Sequence, residues 1–103
     1  MNDLRDLVLD AAILPRVAAG SRRHALQLVS ESLAQAAALD SRAVFEAVLL
    51  RERLSGTGIG EGVAIPHARV EGLLRPVAGF ARLDPAIDFD ALDGRPADLV
   101  FML

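Results

Sequence analysis

The feature that most limits how this chain can fold is a run of glycines at every second position. Gly56, Gly58, Gly60 and Gly62 fall in one short segment and account for half of the chain's 8 glycines. Glycine has no Cβ, enters backbone regions closed to other residues, and costs a helix about 1 kcal/mol at each interior position. A regular helix therefore does not run through residues 56–62. The segment divides the chain into a part before it with helical spacing and a part after it that reads as strands. Val63-Ala64-Ile65-Pro66-His67 follows it directly.

The first residues, 1–10, read as a weak amphipathic turn or short helix, with Leu4, Leu7 and Val8 on one side. Residues 13–18 read as a short strand, and Pro15 within it argues for an edge position because proline cannot donate to a ladder. Ser21 is placed to cap a helix over residues 22–39, where Leu26, Val29, Leu33 and Ala36 recur at helical spacing. Asp40 or Ser41 caps a second helix, in which Val44 pairs with Val48 and Phe45 with Leu49. Gly56 suits its termination. Beyond the glycines, residues 77–83 read as a strand, and Asp84-Pro85 and Asp93-Gly94 as turns. Residues 99–103 form an unbroken apolar run, the pattern of a strand buried on both faces. The whole of residues 1–103 is read as a single α/β domain, a mixed β-sheet flanked by helices.

Composition removes several chemistries. The formal charge is −3, and all 11 basic residues are arginine, so a nucleic-acid footprint and lysine chemistry are both excluded. There is no cysteine, which rules out disulfides, thiolate nucleophiles and zinc-thiolate sites. Aromatic residues are 4% of the chain, too few for stacking platforms. No apolar run approaches membrane-spanning length and no signal segment opens the chain, so a cytoplasmic protein without membrane insertion is expected. Asp84, Asp88, Asp90, Asp93 and Asp98 lack the spacing of a calcium loop and are assigned turn and cap roles. The two histidines, His24 and His67, do not make a zinc site; neither a metal nor a cofactor is expected.

The chemistry concentrates around His67. Alternating glycines let the backbone approach a ligand and gather N–H groups into one concavity, so Thr57, Gly58, Ile59, Gly60 and Gly62 are a candidate phosphate-binding loop. Two nucleotide-loop alternatives fail: no Gly-Lys-Ser/Thr is present, and a helix precedes the glycines instead of following them. Pro66 stiffens the backbone that presents His67, whose imidazole has a lone pair available for attack on phosphorus. Arg51 and Arg53 precede the loop and carry guanidinium forks suited to phosphate oxygens. His24, in the first turn of a helix, is expected to face solvent.

From Arg51 through the glycines to Pro66-His67-Ala68, the sequence resembles the phosphorylation signature of the fructose/mannitol-type enzyme IIA domains of the bacterial phosphotransferase system. The resemblance extends upstream over both helical segments and downstream to Phe101. It implies an α/β sandwich in which His67 is the phosphoacceptor and Arg51 stabilises the phosphoryl group. It also implies a histidine phosphocarrier protein as donor. A chain without fused transport domains is most similar to the nitrogen-regulatory branch, whose partners are regulatory target proteins. In the sugar-specific branch the phosphoryl group passes to an enzyme IIB. A third reading, of another class, is a non-catalytic module that binds an anion or partner. Two departures stand out: Ser55-Gly56 reverses the more usual order, and Glu61 brings a carboxylate to the proposed nest. The resemblance further implies a domain that continues beyond Leu103, which leads us to expect exposed apolar surface and a possible homo-oligomer.

Overall fold

The computed structural model describes residues 8–70 and 77–102. Its elements are β1 (Val8–Val17), α1 (Arg22–Ala37), α2 (Ser41–Leu54), β2 (Gly58–Gly60), β3 (Val63–Ala64), β4 (Ala78–Ile87) and β5 (Ala97–Met102). The strands form one mixed sheet in the order β1-β4-β5-β3-β2. β1 runs parallel to β4 and β3 parallel to β5, while β4 and β5 are antiparallel, as are β2 and β3. The α/β class read from the sequence is the class observed.

β5 is the middle strand, with Val100 and Met102 buried, but it is not buried on both faces as its apolar run suggests: Leu99 and Phe101 on the other face are only half-buried. β1 is an edge, and Pro15 sits where its register with β4 slips, between Leu14 and Val17. The missing proline N–H therefore interrupts no regular rung. Residues 8–10 belong to β1 and not to the short helix expected there, because Val8 finds a rung opposite Ala78. A partner strand outweighs one turn of local periodicity. Leu4 and Leu7 lie outside the described residues. β4 likewise runs on to Ile87 through Asp84-Pro85, which the sequence marks as a turn; the pairing with β5 slips there, between Arg82 and Ile87.

The Ser21 hydroxyl caps α1 by accepting the His24 N–H at 3.1 Å. At the other end Ala38 turns left-handed (φ 57°), and its N–H reaches the carbonyls of Ala34 and Gln35. The buried stripe Ala25, Leu26, Val29, Ser30, Leu33 and Ala34 lays α1 on the sheet. Ser30, fully buried, donates its hydroxyl to Met102 Sδ of β5 at 3.5 Å. Asp40 caps α2 by accepting the Arg42 N–H at 3.1 Å. The buried positions of α2 are Val44, Val48 and Glu52, so a stripe that begins aliphatic ends on a carboxylate.

Gly56 does not terminate α2 as expected. The helix stops at Leu54 with Ser55 extended (φ −165°). Gly56 instead gives clearance: a Cβ there would lie 2.4 Å from the Phe89 carbonyl oxygen. On the sheet face away from the helices, Ile13, Phe80 and Phe101 are register partners across three strands. The Phe80 and Phe101 rings sit 4.9 Å apart, and Ile13 is 42% exposed. Among the described residues no helix is long and apolar enough to cross a membrane.

Candidate functional site

The glycine segment is a small β2–β3 hairpin. Its turn takes positive φ at three successive residues, Gly60 (95°), Glu61 (56°) and Gly62 (80°). That conformation suits glycine at 60 and 62. Glu61 is exposed on the turn, and its N–H donates to Asp93 Oδ2 at 2.8 Å. Asp93 also accepts the Arg95 N–H at 3.0 Å. These donors hold the Asp93 carboxyl below the ordinary aspartate range, the Glu61 amide first. On the other side of the turn, the Gly62 carbonyl accepts from both Asp98 and Leu99 of β5, each at 3.0 Å. The turn is thus pinned on both sides.

The loop that the sequence marks for phosphate is engaged with the protein at two of its amides. Thr57 N–H donates to Glu52 Oε2 at 2.8 Å, and Gly58 N–H to the Phe89 carbonyl at 3.0 Å. Gly58 allows this approach because a Cβ would meet Phe89 O at 2.9 Å. Ile59 projects outward, 63% exposed. What residues 56–58 offer His67 in this structure is a fixed position.

His67 follows the hairpin on a stiff segment. Ile65 N–H donates to the Thr57 carbonyl at 3.0 Å, and Pro66 is fully buried. His67 Nδ1 lies 3.0 Å from the Ile65 carbonyl oxygen. A carbonyl oxygen can only accept, so this contact needs the proton on Nδ1, which in the neutral imidazole leaves the Nε2 lone pair free. The imidazole is half-buried.

Arg51 joins His67. Both line one open concavity of about 380 Å³, together with Ala47, Leu50, Leu54, Ala68 and Arg69. Its rim is apolar and exposed: Leu50 is 64% and Leu54 77% accessible. The Arg51 fork is held by the end of its own helix, with Nη1 donating to the Ser55 carbonyl at 2.8 Å and to its hydroxyl at 3.3 Å. Arg53 is exposed and lines a different groove, beside Arg22, Leu49 and Glu52. The structure thus separates two arginines that the sequence presents as neighbours.

Sequence reading missed Glu52, Arg22 and Asp90. The Glu52 side chain is 3% exposed. Its two oxygens accept the Thr57 N–H and, at 2.5 Å, the Thr57 hydroxyl. Arg22 Nη1 stands 3.6 Å from Glu52 Oε2 and 2.9 Å from Asp90 Oδ2. The Asp90 hydrogen bond, with the nearby charges of Asp90, Glu52 and Asp88, raises the Arg22 pKa. The signal was present in the sequence: Glu52 continues the Val44, Val48 spacing onto the buried face. His24 is exposed, as expected, and its Nδ1 accepts the Gly20 N–H at 3.2 Å. Asp88 and Asp93 take the turn roles expected of them, Asp88 by accepting the Asp90 N–H at 2.8 Å. Among the described residues no group of three or more His, Asp or Glu side chains is placed to hold a metal.

The chain matches the EIIA 2 family of the phosphoenolpyruvate-dependent sugar phosphotransferase system over residues 7–103. A nitrogen regulatory protein of Bradyrhizobium diazoefficiens is 46% identical over 100 residues, covering 97% of this chain and 65% of that protein. The crystal structure of nitrogen regulatory protein IIA-Ntr from Neisseria meningitidis superposes with a TM-score of 0.86 at 33% identity, over 94% of this chain and 66% of that one. The mannitol enzyme IIA of Escherichia coli, solved in complex with phosphorylated enzyme IIB, superposes with a TM-score of 0.76 at 25% identity, over 90% of this chain and 66% of that one. The chain thus spans 65% to 66% of the length of these relatives.

Proposed function

Because this chain belongs to the EIIA 2 family of the phosphoenolpyruvate-dependent sugar phosphotransferase system, we propose that it is a phosphohistidine carrier with His67 as the acceptor. The observation that carries this reading is the pairing of His67, its Nδ1 tied back to the Ile65 carbonyl, with Arg51 in one open concavity. A histidine phosphocarrier protein is the donor. The Nε2 lone pair of His67 forms the new N–P bond while the bond from phosphorus to the donor's imidazole nitrogen breaks. The electron pair of the broken bond stays on the donor. The Nδ1 proton remains on His67, where the Ile65 carbonyl stabilises the positive charge that develops on the ring. Arg51 turns its fork from Ser55 toward the phosphoryl oxygens. Such transfer rests on position and charge, which these groups supply without a metal.

The output we propose is regulatory, with target proteins reading the phosphorylation state. Its support is the 46% identity to a nitrogen regulatory protein along 97% of the chain. The sugar-specific reading, in which phosphate passes to an enzyme IIB, is supported by the 38% identity to a fructose-specific EIIA component over 81% of the chain and by the likeness to the mannitol domain at 25% identity. Incubation with a phosphorylated histidine phosphocarrier should give an acid-labile adduct on the wild type and none on His67→Ala. Arg51→Ala should slow its formation by about 10²- to 10³-fold, the usual effect of removing one charge-stabilising donor. Onward transfer to an enzyme IIB would favour the sugar-specific reading. A folded wild type that takes up no phosphate would leave a binding module as the remaining reading.

A further inference from the structure

The geometry points to Glu52 as the positioning residue for His67, acting through Thr57 and Ile65. The contacts form one chain. Glu52 accepts the Thr57 N–H at 2.8 Å, the Thr57 carbonyl accepts the Ile65 N–H at 3.0 Å, and the Ile65 carbonyl accepts the Nδ1 proton of His67 at 3.0 Å. Each link holds one of the two peptide units that flank a residue, Thr57 and then Ile65, and the other unit of that residue makes the next bond, so the last turn of α2 bears on which imidazole nitrogen carries the proton. Glu52 and Thr57 are 5% and 4% exposed, so water does not substitute for either partner. An apolar residue at 52 would suit the Val44, Val48 stripe and would need no compensating cation. The carboxylate is present instead, with Arg22 3.6 Å away. A buried charge in that place calls for a use, and the Thr57 N–H, which would otherwise be a buried orphan donor, is the group it satisfies. Arg22 extends the anchor to the strand connection through Asp90 at 2.9 Å.

The inference rests on His67 being the reactive group, but its test does not depend on phosphate uptake. Nitrogen-15 NMR of the wild type, without any donor, should show neutral His67 as the Nδ1–H tautomer, with slow amide exchange at Thr57 and Ile65. Glu52→Met keeps the side chain's bulk and removes both acceptors. It should populate both tautomers of His67 and slow phosphorylation by about 10- to 100-fold, the usual cost of a small misplacement of a reacting group. Glu52→Gln keeps one acceptor for the Thr57 N–H, and the Thr57 hydroxyl can rotate to accept from the amide. It should therefore restore the wild-type tautomer and most of the rate. An Nε2–H tautomer in the wild type, or fast exchange of the Thr57 amide, would overturn the inference even if Glu52→Met does not fold. So would a folded Glu52→Met protein with wild-type tautomer and rate, or a Glu52→Gln protein as impaired as Glu52→Met. Phosphate uptake failing on a wild type with the expected tautomer would count against the carrier reading alone.

Discussion

At Gly56 there is no room for a side chain: a Cβ would stand 2.4 Å from the Phe89 carbonyl oxygen and 2.5 Å from Asp90 Cβ. Gly56→Ala should therefore lower stability by about 1–3 kcal/mol, the range for overpacking. At Gly20 a methyl group would meet nothing within 4 Å, and φ is not positive, so Gly20→Ala should be neutral or stabilise by up to about 1 kcal/mol. Denaturant unfolding of the two variants side by side reads the difference. Asp93 offers a test by pH. Its pKa lies lower in the folded chain than in the unfolded one, because the Glu61 and Arg95 amides favour the carboxylate. Its contribution is therefore present above the ordinary aspartate value and is lost as pH falls through the folded value. The stability gap between wild type and Asp93→Asn should be widest near neutral pH and close in acid. A gap that stays constant with pH would contradict this. The sequence singles out His67 and Arg51 at this scale, and the structure brings them to one concavity. The clearance role of Gly56 was not, since its neighbours Phe89 and Asp90 come from another part of the chain.

The helices were legible because their signals are local. Ser21 and Asp40 cap where the sequence places them, and the apolar spacing of α1 delivers its buried stripe. Strands were legible where hydrophobicity was continuous, as in β5, or where proline marked an edge, as in β1. They were misread where a partner decided. Residues 8–10 extend because β4 offers a rung, and Asp84-Pro85 stays within β4 because the ladder tolerates a slip there. The β2–β3 hairpin was hidden by its glycines, which have no strand propensity and pair through backbone alone. Leu26, 1% exposed on α1, reports how firmly the helix layer is seated. Leu26→Ala should cost about 2–5 kcal/mol.

The radius of gyration is 12.5 Å, and among the described residues one face of the sheet is covered by helix while the other leaves Ile13, Phe80 and Phe101 partly exposed. Phe80, half-buried beside Phe101 on the open face, should therefore cost less on truncation to alanine than Leu26 does, despite its larger side chain. Equal losses would mean that the open face is covered in solution. The candidate site is assembled only at this scale. The end of α2 supplies Arg51 and Glu52, the link between α2 and β2 supplies Thr57, and the segment after β3 supplies Ile65 and His67. The most direct test of the account is phosphorus-31 NMR of the protein after incubation with a phosphorylated histidine phosphocarrier. A phosphohistidine signal of the Nε2 type, absent in His67→Ala, is the predicted result. A signal of the Nδ1 type, or one that survives in His67→Ala, would contradict it.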